Sequence, residues 1–425
     1  MSATAAEPKP ETVLDHEIGP AQLDIPGMLA KAKRDSGRST LSIAKEMGRF
    51  VLGAPKLTGD QYFAWRLYDD DRFTREEKDA FIGAGRSRRV NRVINYVQHF
   101  LSYVDNKLLF GATLTASGIA YPAPVAVFTK TRLPKGLGWV STAGEVADFL
   151  RSTQAYPLFG KPIEGHASQS AGVISIQRYD AGGDCLVRHD GTTVPVETFA
   201  AEIERFFAEG SYLFQERIFP HPEIEAACGS GLGTVRIVTV SEDGRIYPLY
   251  SAWKITATDA VADNFWRKGN LLAHIDVATG ELLRVRTGGG FRFEEVESHP
   301  ETGARLLGWT LPDWERAVET VVDAHSLVHR VGIVGWDLAL SSTGPTVIEA
   351  NTFPNHTLYQ DASGRGVYAP DLLRGVHERA ATRVAERKAK ARASAKKKNR
   401  EWRKRELDNV RDGLRGGDDQ GTDAR

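Results

Sequence analysis

The chain has 425 residues, of which 41% are hydrophobic and 26% charged, and its 55 Lys and Arg balance its 55 Asp and Glu. This composition can fill the core of a soluble globular protein of two or more lobes, and no run approaches the roughly 20 apolar residues of a membrane span. The start, Met1 to Pro20, lacks the basic-then-apolar order of a secretory signal, and Cys185 and Cys228 form no CxxC. A cytoplasmic protein with no disulfide framework or zinc site is expected.

Residues 1 to 25 are polar and proline-bearing, so structure is expected to begin near Ile25. From Met28 to Val104 the apolar spacing is helical, with Val90, Val93, Ile94, Val97, Phe100, Leu101 and Val104 on one broad face. Pro122 and Pro124 break this pattern before the short apolar run Val125 to Phe128. Ser141, Thr142 and Glu145 then form a capping-box start for a helix through Val146 and Leu150. Strands follow at Gly172 to Ile176, Tyr212 to Gln215, Thr234 to Val240 and Ile246 to Trp253, separated by glycine, proline and Asp-Gly turns. One amphipathic helix, Asp313 to Arg330, is expected to start in a capping box of Thr310 and Asp313. Near the end, Arg383 to Arg405 holds twelve Lys or Arg and two Glu, a net charge of +10, which leaves about −10 on the rest. This segment favours a helix without an apolar stripe, and Gly413 to Arg425 reads as disordered.

Four motifs bear on chemistry. Gly335 to Leu340 and Thr346 to Asn351 are two strand-like runs around a turn at Ser341 to Gly344. Asp337, Glu349 and Asn351 on them make a suitable partial shell for magnesium, which prefers hard oxygen ligands and keeps waters and phosphates; the plain alternative is a hairpin with polar ends. Gly160 to Gly172 carries Lys161, Gly165, Ser168 and Ser170, and resembles a loop that covers phosphates, although the chain has no GxxxxGK[ST]. Gly229, Gly231 and Gly233 precede a strand rather than a helix, which argues against a dinucleotide fingerprint. Arg236 alternates with Val235 and Ile237 and is expected to face a polar cleft, where its planar fork suits phosphate. His325 and His329 have the spacing of helical zinc ligands, but Ser326 stands where a zincin has glutamate, so a satisfied or solvent-facing pair is favoured.

Taken in order, these pieces resemble the ATP-grasp superfamily, most closely its sugar-transfer associated branch, over residues 55 to 362. Asp105 to Phe110 with Ser117 to Pro122 resembles the family opener, containing Lys107. Phe159 to Pro162 resembles the strand with the second nucleotide lysine, Lys161. Phe214, Gln215, Glu216, Arg217 and Ile218 resemble the hinge whose backbone holds adenine, and Glu223 would accept from the ribose hydroxyls. Gly233 to Thr239 resembles the strand presenting a phosphate-facing arginine, Arg236, while Asp337, Glu349 and Asn351 fall on the metal positions. Two departures stand out: Lys254 replaces a frequent Arg, and Asp263 to Asn270, with Asn264 and Trp266, replaces a glycine-richer Asp-Asn-Phe-Ser segment.

The resemblance implies an α+β ATP-grasp fold, two lobes gripping ATP and one or two Mg²⁺. The expected layout is a flexible N-terminus (1–25), a helical lobe (26–105), two ATP-grasp subdomains (106–211 and 212–375) and a basic helical or disordered tail (376–425). Lys107, Lys161, Gly165, Ser168, Gln215, Glu216, Ile218 and Glu223 would bind nucleotide; Arg236, Lys254 and Asn264 would act in catalysis. The implied reaction is a ligation in which a small-molecule carboxylate becomes an acylphosphate and is captured by an amine or similar nucleophile, in a setting near glycan assembly. The alternatives are a kinase acting on a sugar or alcohol hydroxyl, and a nucleotide-binding adaptor whose basic tail meets an anionic surface or nucleic acid.

Overall fold

The chain begins in short helices whose starts are written as side-chain caps. Asp24, Ser39, Thr58 and Thr74 cap α1 (Ile25–Ser36), α2 (Thr40–Leu52), α3 (Gly59–Ala64) and α4 (Arg75–Asp79), the last two through complete capping boxes with Gln61 and Glu77. Phe50, Tyr62, Phe63, Tyr68 and Phe81 form their core. The protein, seen in a computed structural model, is described over residues 24–97, 99–134, 138–163, 172–257, 269–287 and 293–416, with side chains as far as 412.

The apolar face running from Val90 to Val104 does not belong to one helix. α5 (Ala84–Ile94) stops at Asn95, and α6 (Leu101–Asp105) starts afresh before α7 (Lys107–Ala116). Asn95 ends the helix because its buried carboxamide is needed elsewhere: Oδ1 accepts from Ile333 N at 2.8 Å, while Nδ2 donates to Ile333 O at 3.0 Å and Thr352 O at 2.6 Å.

Two sheets follow. The first is built from β1 (Pro124–Thr129), β2 (Trp139–Val140), β3 (Leu158–Pro162), β4 (Ile174–Asp180), β5 (Cys185–Arg188), β6 (Thr193–Pro195) and β7 (Ser211–Glu216), in the order β2-β1-β7-β3-β4-β5-β6. Helices α8 (Ala143–Ser152) and α9 (Val196–Phe207) cover one face, burying Val146, Leu150, Phe199 and Ile203 against Tyr212 and Phe214. Thr142 caps α8 as expected, although Glu145 reaches back to Ser141 N rather than to Thr142. The opposite face carries Val127, Lys161 and Leu213 towards the second sheet.

After α10 (Pro222–Cys228), the second sheet comprises β8 (Thr234–Glu242), β9 (Arg245–Ile255), β10 (Leu271–Ile275), β11 (Leu282–Thr287), β12 (Ile333–Ser341) and β13 (Gly344–Asn351), ordered β11-β10-β9-β8-β12-β13. Val235, Ile237 and Trp253 alternate onto the face packed by α11 (Trp314–Ser326) through Trp314, Ala317 and Val321. The other face carries Arg236 and Lys254. Gly231 and Gly233 serve close approach rather than a dinucleotide: a Cβ would lie 2.3 Å from Thr256 Oγ1 and 2.5 Å from Lys254 O, respectively.

Three expectations need correction. The capping box at Thr310 and Asp313 is absent: Asp313 sits in the left-handed region at φ 55° and makes no side-chain cap. α11 ends at Ser326 rather than Arg330, which leaves His329 beyond the helix, while His325 is the expected satisfied core residue, held by Thr239 Oγ1 and Val331 O. Gly413 to Gly416 close a long helix rather than starting a disordered end; residues 417–425 lie outside the described residues.

α12 (Thr357–Ser363) lies on the Arg236 side of the second sheet, and the chain ends in α13 (Gly375–Gly416). Arg379 and Arg383 pair with Glu242, and Arg387 stacks on Tyr96, but every described side chain from Ala385 to Asp412 is exposed. Truncation after Arg387 is therefore expected to move the thermal midpoint by no more than about 2 °C. A larger fall in a melting scan would show that the helix is packed in solution.

Candidate active site

Strand register, rather than sequence proximity, assembles the site. Asp337 on β12 stands opposite Glu349 on β13 and opposite Arg236 on β8, and residues directly opposite share a face of the sheet. Lys254 on β9 lies one diagonal from Arg236 on that face. The Arg236 guanidinium closes side-on upon Asp337, Nε to Oδ1 at 2.6 Å and Nη2 to Oδ2 at 2.8 Å, and Lys254 Nζ lies 3.4 Å from Oδ2. Gly335 makes room for this: a Cβ there would lie 2.8 Å from Pro354 Cβ and 3.3 Å from Arg236 Cδ. Gly335→Ala is expected to cost about 1–3 kcal/mol and to push Arg236 off Asp337, measured by denaturant unfolding; wild-type stability in that variant would refute the packing argument.

From the other side come the two lysines. Lys107 Nζ donates to Ile163 O at 3.3 Å and lies 4.0 Å from Glu349 Oε1. Lys161 Nζ donates to Ile348 O at 3.4 Å, so a first-sheet ammonium reaches the backbone of the β12–β13 hairpin. Thr352 Oγ1 donates to Asp105 at 2.9 Å, which anchors the start of α7 one residue past Asn351.

The electrostatics follow from burial. Desolvation presses Lys161 down to about 8, with Lys107 adding to the effect and Glu349 opposing it. Burial alone would raise Asp337, yet the charges of Arg236 and Lys254 outweigh it and hold the carboxyl at about 2. His356 is pressed to about 3 by burial and by Arg236. Asn91 Nδ2 donates to Pro354 O, so its Oδ1 accepts from His356 Nε2–H at 2.6 Å, and His356 Nδ1 accepts from the Tyr250 hydroxyl. This neutral chain backs the Arg236 face without adding charge.

Four cationic side chains thus meet two carboxylates, a surplus suited to a polyanion. Among the described residues no three His, Cys, Asp or Glu converge on a metal position. The donor set is two carboxylates plus the amide of Asn351, whose Nδ2 is buried without a partner. Turning that amide by 180° puts an acceptor oxygen in its place, which suits a cation where an N–H group does not. Asp337 has both oxygens on Arg236 but keeps further lone pairs. These residues fit magnesium only if phosphates and water complete its shell, which is how that ion is commonly held.

At and just after the end of β7, Gln215 is buried with Oε1 unpartnered, Glu216 is exposed and Ile218 half-buried. The Glu216 and Arg217 amides are engaged, by Ala123 O at 3.0 Å and Pro157 O at 3.2 Å, whereas the Ile218 amide has no partner among the described residues. Glu223 is exposed in the first turn of α10 and shares no contact with the charged cluster among the described residues. Gly165, Ser168 and Asn264 lie outside the described residues. Tyr121 is a site residue that sequence reasoning misses: its ring lies 5.9 Å from Lys161 Nζ and its hydroxyl donates to Lys107 O at 3.0 Å. Its place in the Ser117 to Pro122 opener was the available signal.

Several solved structures are similar to this chain. An L-amino acid ligase from Bacillus licheniformis is 17% identical over 59% of this chain and 43% of its own, at a TM-score of 0.34. A D-alanine-D-alanine ligase from Coxiella burnetii is 13% identical over 69% and 61%, at 0.36, and one from Bacillus anthracis complexed with ATP is 15% identical over 68% and 69%, at 0.35. Such likenesses carry no argument about activity, and this chain spans less than half the length of the first. No curated protein sequence matches. The profile described as sugar-transfer associated ATP-grasp matches residues 86–373, well over half of the sequence, and the chain belongs to that family.

Proposed function

We propose that the protein is an ATP- and magnesium-dependent ligase that joins a carboxylate to an amine or similar nucleophile. The observation that carries this reading is the cluster of Lys107, Lys161, Arg236 and Lys254 around Asp337 and Glu349, contributed by α7 and both sheets. Lys107 from the start of α7 and Lys161 from the first sheet would offset phosphate charge on one side, and Arg236 and Lys254 from the second sheet on the other, so the nucleotide would be gripped between lobes. Gln215 and the Ile218 amide, unpartnered among the described residues, would meet the base, and Glu223 the ribose. Glu349, Asn351 and the remaining lone pairs of Asp337 would hold magnesium, which supplies charge neutralisation on the phosphates.

A substrate carboxylate oxygen attacks the γ-phosphorus, the bond to the β–γ bridging oxygen breaks, and ADP departs. The nucleophile then adds to the acyl carbon, and inorganic phosphate leaves with the electron pair of its C–O bond. The chain's part is to position and neutralise, with Lys161 and Arg236 held before substrate arrives.

The test is product stoichiometry over a panel of acids and amines with Mg-ATP. Equal release of ADP and phosphate, dependent on both substrates, is expected. ADP without free phosphate would indicate transfer to a hydroxyl instead, and nucleotide binding without turnover on any panel would favour an adaptor.

A further inference from the structure

Arg286 ends a row of residues that crosses the second sheet. Thr234 pairs with Lys254, Lys254 with Leu272 and Leu272 with Arg286, so all share the Arg236 face. Two strand spacings put Arg286 about 10 Å along the sheet from Lys254. The side chain is 1% exposed. Its Nη1 donates to Asp361 O at 3.0 Å, and the Phe293 ring centre lies 3.7 Å from the guanidinium carbon. Its Nε and Nη2 are buried and have no partner among the described residues.

Those two groups form the side-on fork that matches a carboxylate. Several other arginines of the chain have this fork closed: Arg236 on Asp337, Arg284 on Glu295 at 3.0 and 2.7 Å, Arg151 on Asp184 at 2.9 and 2.7 Å, and Arg379 on Glu242 at 2.9 and 2.8 Å. Two unmet charged N–H groups in an interior are costly and call for a partner. Burial presses the Arg286 pKa to about 10, with Asp361 opposing and Arg284 adding to the effect, so the group stays cationic at neutral pH. Asp361 takes one edge and Phe293 one face, which leaves the Nε/Nη2 edge for an anion.

We propose that the Nε/Nη2 edge of Arg286 is a subsite for a carboxylate or phosphate group on the substrate, remote from the group that reacts. This rests on the ligase reading, and it narrows the substrate class to molecules bearing a second anionic group that reaches about 10 Å along the sheet from Lys254.

The test uses the full-length protein with 15N-labelled arginine, following the Arg286 Nε–H resonance, assigned by its loss in Arg286→Lys. Glutarate, inorganic phosphate and acetate are titrated with and without Mg-ATP, and ATP affinity is measured separately by calorimetry. The signal is expected to move with glutarate or phosphate, and whichever binds more tightly identifies the chemistry. Arg286→Lys, which keeps the charge but not the fork, should weaken that binding at least about tenfold while ATP affinity is unchanged. A resonance that ignores both anions overturns the proposal. So does an Arg286→Met protein that binds them undiminished while melting far below wild type, because the arginine is then a strut for α12. If the wild type binds no ATP but its Arg286 signal still responds, the ligase reading fails and the subsite stands.

Discussion

Asp337→Asn is expected to abolish most turnover and to destabilise the fold, whereas Glu349→Gln should abolish turnover alone. Both changes delete a charged oxygen from the β12–β13 hairpin, a loss on the order of 100-fold in rate. They differ in what they leave behind. Asp337 and Arg236 have side chains only 10% and 12% exposed and are bonded side-on, so removing the carboxylate strands a buried guanidinium and costs about 3–5 kcal/mol. The Glu349 side chain is 31% exposed and its nearest cation is 4.0 Å away, so its loss should cost under about 1 kcal/mol. Acid titration gives an independent check. The Asp337 carboxyl lies near 2 when folded and near 3.8 when unfolded, so its contribution, about 2 kcal/mol, is fully present above pH 3.8 and lost as pH falls through 2. Asp337→Asn should flatten that part of the stability profile. Equal stability of the two variants would mean that the Arg236 pair does not hold the second sheet together.

ATP affinity should fall as pH rises above about 8 in the wild type, by up to about tenfold per unit, and Lys161→Met should remove this slope while weakening ATP about 10- to 100-fold. The sign follows from the pKa. Folded Lys161 releases its proton near 8 rather than near 10.5, and only the ammonium rewards phosphate. The same shift means that the free protein gains stability from this group as pH rises from 8 to 10.5, because the unfolded chain then holds more protons. Binding and stability should therefore change in opposite directions over one pH window. Adenosine binding should show neither effect. A wild-type ATP affinity that is level from pH 7 to about 9.5 would remove Lys161 from the phosphate site.

The β12–β13 hairpin, the alternation of Arg236 with Val235 and Ile237, and the strands before it were legible because each is a local pattern, an apolar run closed by a turn or an alternation of period two. α9 is equally readable, with Val196, Phe199, Ala200 and Ile203 in helical spacing, yet it is easily overlooked among strands. The partners of the site residues were a different matter. Arg236 meets a carboxylate 101 positions away and Lys161 a carbonyl 187 positions away, and no local period encodes such pairings. The break at Asn95 was hidden for the same reason, since what ends α5 is a set of bonds to residues more than 230 positions distant. The open fork of Arg286 depends on which side chains fail to reach it, which only three-dimensional structure reveals.

β13 ends at Asn351 opposite Gly335, so β12 runs two residues beyond its neighbour, and the Asn95 carboxamide fills the gap as a peptide group would, accepting from and donating to Ile333. A side chain from the opening helices is in effect one more rung of the hairpin that bears Asp337 and Glu349. Those helices therefore cannot be treated as a detachable module. A fragment beginning at residue 106 would leave that rung missing, and grafting the hairpin onto another body would require a replacement carboxamide. Helical lobe and hairpin should also open as one cooperative unit, with the amide hydrogen of Ile333 exchanging only when Asn95 withdraws.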